Sequence, residues 1–165
     1  METETIVLTG EARYANVFMD NRDRVGYEGA YEDCNGAFTI ELILDDNEAQ
    51  KIMNSKSKVQ PKDEEDGRVS FKFKRKNEIR SRKTGEIVDF LSGPPVIVDE
   101  NKEDWGHDPE TNPRYIGNGS KISVAIEVTP DQKRPSIVYT RLAAIQVLEH
   151  VEYTPSTKQQ GELPF

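Results

Sequence analysis

Apolar and polar positions alternate along this chain in short runs, the pattern of β-strands. Ala12 to Phe18 (ARYANVF) and Ala37 to Leu44 (AFTIELIL) are rich in aromatic and β-branched residues, and the glycines and polar residues of NRDRVGYEGAYEDCNG between them mark a loop. Asp45-Asp46-Asn47 then supplies an N-cap and early negative charge ahead of Ala49, Ile52 and Met53, which share one helical face. A helix of about three turns is expected there. Lys56 to Gly67, with Pro61 and the run DEED, reads as a solvated linker. Val69 to Lys76 alternates again, with Val69, Phe71 and Phe73 on one face and Ser70, Lys72 and Lys74 on the other, as a half-exposed strand does. Glu86 to Leu91, reached through NEIRSRKTG, is expected to return as the second arm of a long basic hairpin. Gly93-Pro94-Pro95 breaks it, and Val96-Ile97-Val98 resumes a short strand.

Asp99 to Asn118 carries clustered acids, the lone tryptophan, two prolines and Gly106, and reads as a long irregular connection. Lys121 to Val128 alternates cleanly. Ser136 to Val151 can place Leu142, Ala143, Ile145, Val147 and Leu148 on a helix, but its β-branched content and the turn signals at Pro130 and Pro135 favour a bent strand paired with 121–128. Two strands, a helix and four further strands, without βαβ alternation, point to a mainly β fold closed as a small barrel. Residues 1–152 would form this domain and 153–165 a flexible tail.

With 165 residues and 35% apolar content, the chain has room for one core. It lacks an 18-residue apolar run and a leader-like start, so a soluble intracellular protein without membrane contact is expected. Cys34 is the lone cysteine, which excludes an intrachain disulfide and a cysteine zinc site. His107-Asp108 near Glu103 and Asp104 could be taken for a divalent-metal cluster, and Asp99, Glu100, Glu103, Asp104 and His107 for a metal-dependent nuclease site. An exposed acidic loop is the plainer reading, and neither metal nor cofactor is expected.

Charge changes the picture more. Arg68 to Lys83 packs eight Lys/Arg against one acid, Glu78, giving +7 in a chain whose net charge is −8, so the remaining residues sum to −15. Such local basicity suggests a polyanion site, with Lys72, Lys74, Arg75, Lys76, Arg80, Arg82 and Lys83 as the phosphate-neutralising candidates. Single-stranded nucleic acid also requires exposed aromatic faces for unpaired bases. Tyr14, Tyr31, Trp105, Tyr115 and Tyr139 are the candidates, in loops or alternating with polar residues. Phe71 and Phe73 stand among the cations and are kept as candidates, but alternation turns their rings away from the lysines, which makes core their first reading. No Gly-rich phosphate loop, GxSxG, HExxH or nucleophile–histidine arrangement is present, and IGNGSK reads as a tight turn. Enzyme activity is not indicated.

The early ARYANVF strand, the basic FKFKRKN, the IGNGSKISV turn and strand, and the closing RLAAIQVLE occur in an order, spanning most of residues 11–151, that resembles the bacteriophage single-stranded DNA-binding proteins of the OB-fold type. The resemblance implies a five-stranded Greek-key barrel with one short helix and extended loops. It further implies binding of single-stranded DNA with little sequence preference, in replication, recombination and repair, in the cytoplasm of an infected bacterial host. The terminal Glu162-Leu163-Pro164-Phe165 is similar to the tip of bacterial single-stranded DNA-binding proteins, which implies docking to replication or recombination proteins. Here the acidic run is short, so competition with DNA for the groove should be weaker. The alternative is an interaction or recombination adaptor that recruits partners through its tail and acidic loops. A barrel edge could also pair with a second copy, and nothing in the sequence blocks or demands a homo-oligomer.

Overall fold

The computed structural model describes residues 3–28 and 34–153; Tyr31 and the tip Glu162 to Phe165 lie outside the described residues. The elements are β1 (Glu4–Asn16), β2 (Ala37–Leu44), the helix α1 (Asp46–Met53), β3 (Lys62–Asp63), β4 (Val69–Lys76), β5 (Val96–Val98), β6 (Lys121–Pro130) and β7 (Val138–Glu149). They form a seven-stranded sheet in the order β3-β4-β2-β1-β6-β7-β5, antiparallel except for the β5–β7 pair. The five long strands run β4-β2-β1-β6-β7, and β4 touches β7, so the sheet is rolled into a barrel whose ends meet at a seam without a backbone ladder.

Alternation fills the interior. Ile122, Val124, Ile126 and Val128 of β6 point inward and meet Leu8, Ile40, Leu42, Phe71, Phe73, Leu142 and Ile145 in one core, while the intervening residues face out. β1 serves both halves of the barrel: Glu4 to Glu11 pair with β6, and Glu11 to Asn16 with β2. Gly10 stands at this corner because a Cβ there would overlap the Ile43 carbonyl oxygen and lie 2.8 Å from Leu44 Cδ2.

Several expectations need correction. β1 begins at Glu4 rather than Ala12, since Ile6 and Leu8 already alternate with Thr5, Val7 and Thr9. The helix has eight residues, about two turns, because the Ser55 amide and hydroxyl both take the Ile52 carbonyl and stop it, while Asp45 caps its start through the Glu48 amide. Residues 86–91 do not form a strand against β4. Past Lys76 the amides of Asn77 and Glu78 bond to Gly36 and Cys34, which holds the chain at the entry to β2. The arm therefore folds on itself, through Ser81 N–H to Glu86 O (2.8 Å) and Val88 N–H to Ile79 O (2.7 Å), and ends in a 3-10 turn at Asp89–Leu91. β7 is a strand paired with β6, as expected, and its register with β6 is irregular.

The acidic linker is also more than solvated chain. It adds β3 to the sheet and places Glu64 in a two-pronged bond with Arg13 (2.8 and 3.1 Å), whose Nε donates to Glu41, while Ser70 donates to Glu64 (2.8 Å). The Arg13 and Ser70 bonds hold the Glu64 carboxyl down from its ordinary 4.5 to about 2. Its folded-state value is depressed, so its stabilising contribution is present above pH 4.5 and lost as pH falls towards 2. Urea midpoints measured across this window should fall less steeply for Glu64→Gln than for the parent; identical slopes would show that the network does not govern acid stability.

Candidate nucleic-acid interface

The seam between β4 and β7 opens outward into a cleft of about 930 Å³, walled by the end of β4, the 79–91 arm and the β6–β7 hairpin. Five cationic side chains line it, Lys74, Arg75, Lys76, Arg82 and Arg141, against Glu127 and Asp131. It is therefore a net-positive groove on a net-negative molecule. Two exposed aromatic rings share it: Tyr139, 49% exposed, and Phe90, 77% exposed. Tyr139 donates its hydroxyl to Asp131 (3.1 Å), which fixes the ring at the rim. Asp131 itself lies below the ordinary carboxylate range, chiefly because the Arg134 amide donates to it. Arg141 keeps a loose contact with Glu127 (3.6 Å), and Lys74 lies 5.3 Å from the centre of the Tyr27 ring.

The basic segment divides by strand alternation. Lys72 and Lys74 point outward, whereas Phe71 and Phe73 are buried with their rings 6.0 Å apart, so neither presents a face to a base. Arg75 follows the phenylalanines inward. Its guanidinium donates to the carbonyls of Gly93 (2.8 Å), Ser92 (3.0 Å) and, across the seam, Leu142 (3.3 Å), and burial lowers its pKa from the usual arginine value. It is a clasp between β4 and β7 rather than an open phosphate ligand. Arg68 is committed to Asp66 and Glu11. Arg80 bonds Gly85 O and Glu78 within the arm, and Lys83 is exposed there.

Trp105 is also core. It is 4% exposed, its indole donates to Arg114 O (2.8 Å), and the Arg114 guanidinium lies 3.7 Å over its ring, a place a base would need. Tyr14 and Tyr115 are far from the groove, in a second cleft beside the opposite end of the β6–β7 hairpin. Residues that sequence reasoning missed are Phe90, placed in an expected strand, and Arg141, whose outward direction was signalled by alternation with Leu142.

A barrel of this topology has a solved counterpart. The chain has the fold of a phage single-stranded DNA-binding protein. The similar structure is gp2.5, a single-stranded DNA binding protein encoded by bacteriophage T7, at 17% sequence identity and a TM-score of 0.65, over 98% of this chain and 96% of that one. No protein-family model matches, and no curated protein matches by sequence. At that identity the likeness speaks for the fold, and the chemistry has to be argued from the side chains.

Those side chains offer point charges and flat rings. Among the described residues no group of three or more His, Cys, Asp or Glu is arranged to hold a metal ion. His107 instead stacks on Phe18 at 3.8 Å, accepts the Arg114 amide at Nδ1 (2.9 Å) and so carries its Nε2 proton to Asp20 (2.8 Å). No helix among the described residues is long and apolar enough to cross a membrane, which leaves strand-built spans unaddressed.

Proposed function

We propose that this chain is a non-enzymatic single-stranded DNA-binding protein with little sequence preference, acting in phage DNA replication and in the recombination and repair that accompany it, within the infected host's cytoplasm. The observation that carries the proposal is the seam cleft, where cations and two exposed aromatic rings share one wall-to-wall groove. Lys74, Lys76, Arg82 and Arg141 neutralise phosphates, and unpaired bases stack on Tyr139 and Phe90. Lys72, Arg80 and Lys83 lie beside this path and add weaker, screened attraction. None of these groups reads a base edge, which accounts for the lack of sequence preference. The segment beyond Tyr153 acts as a tether, and Glu162 to Phe165 as the tip that replication proteins capture.

Fluorescence anisotropy with labelled oligothymidine tests this. Micromolar or tighter binding is expected, and an excess of duplex should not displace the oligonucleotide, since stacked bases are unavailable to the rings. Phe90→Ala should weaken binding by about 1–3 kcal/mol while leaving thermal stability unchanged, because the ring is exposed. Equal affinity for duplex, or an unaltered affinity in Phe90→Ala, would remove the stacking role.

A further inference from the structure

The second cleft, about 740 Å³, has a different chemistry from the groove. Three tyrosines line it, Tyr14, Tyr115 and Tyr153, over Ile116, and the charged side chain among the lining residues is an acid, Glu152. Tyr115 and Tyr153 meet edge to face at 5.9 Å. Tyr115 is fixed from behind by its hydroxyl bond to Asp20, which pushes the phenol up to about 12. Tyr14 is 59% exposed and held at φ 51°, a left-handed conformation that a tyrosine rarely adopts. The irregular register of β1 between Arg13 and Asn16 and the bond from the Tyr14 amide to Asn118 Oδ1 (2.8 Å) impose it. Strain that aims an exposed ring into a cavity marks a binding feature. The setting is acidic as well: residues 99–118, which supply Tyr115, hold six Asp/Glu against two Lys/Arg.

We propose that this cleft is a cation-accepting docking site for an arginine-bearing segment of a partner protein. Tyrosine faces attract a guanidinium, and Glu152 supplies its counter-charge. Aromatic rings at this end of the molecule already accept guanidinium groups, with Arg13 at 5.6 Å over Tyr14 and Arg114 at 3.7 Å over Trp105. A DNA strand is disfavoured because, among the described residues, no lysine or arginine lines the cavity to neutralise its phosphates.

The test titrates the full, 15N-labelled chain with acetyl-Gly-Arg-Gly-Arg-Gly-amide and, as a neutral isostere, with the same peptide carrying citrulline for arginine. Amide shifts should gather at Tyr14, Asn16, Ile116, Glu152 and Tyr153 with the arginine peptide and be absent with citrulline. Glu152→Lys and Tyr153→Ala should each weaken the peptide on the order of tenfold while binding oligothymidine as the parent does. Shifts spread along residues 99–118 and indifferent to both substitutions would reduce the effect to acidic surface attraction and overturn the proposal. So would oligothymidine shifting the cleft amides, which would make the tyrosines a platform for bases.

Discussion

A chain carrying Lys74→Glu, Lys76→Glu and Arg82→Glu should bind oligothymidine at least about a hundredfold more weakly than the parent and melt within a few degrees of it. The three side chains share the seam cleft, and each reversal replaces a cation of the proposed phosphate path with a repelling charge. For a single strand the affinity falls with salt at a logarithmic slope of about −0.7 per neutralised phosphate, so four cleft cations imply a parental slope between about −2 and −3. Raising salt fourfold would then cost the parent about thirtyfold in affinity. The triple variant should lose most of that slope, Arg141 being the remaining cleft cation outside the Arg75 clasp. Anisotropy titrations at several salt concentrations read both quantities; a slope unchanged in the variant would place the phosphate path elsewhere on the surface.

Arg75→Ala is expected to act through the fold, by about 3–5 kcal/mol. The substitution removes the donor to three carbonyls, one of which belongs to β7, and leaves them without their partner where the barrel lacks a backbone ladder. Arg75→Lys should recover only part of the loss, since an ammonium cannot spread over three acceptors as the planar fork does. Chemical denaturation measures the change, and affinity per folded molecule, determined at low denaturant and temperature, should fall far less than in the triple variant. A stable Arg75→Ala protein with abolished DNA affinity would instead return Arg75 to the phosphate-binding set.

The contrast between these two experiments turns on strand parity. Charge alone groups Arg75 with Lys74 and Lys76, but the alternation that buries Phe71 and Phe73 reaches Arg75 one step later and turns it inward. Local pattern was enough for β2, β4 and β6, where each strand has an inward face rich in apolar residues. It was insufficient for 86–91, whose apolar content suits a strand but whose path is decided by the distant bonds of Asn77 and Glu78 to the β2 entry. The groove was half legible for the same reason. Most of its cations are close in sequence, while Tyr139 and Arg141 join them because the sheet rolls up and brings β7 beside β4, and Phe90 because the 79–91 arm folds on itself. Trp105 misled in the opposite direction, since a tryptophan in an acidic loop looks exposed until Arg114 and His150 are seen to enclose it.

The sheet ends in two stubs. β3 offers two residues, both charged and exposed, and β5 offers three, directly after Pro94-Pro95 and with Val98 already bridged to Asp104. An incoming strand from another copy would gain too few rungs to hold, and its approach would meet charge at one end and proline at the other. Copies of this chain brought side by side can thus stay separate molecules instead of fusing edge to edge into a continuous β-ribbon.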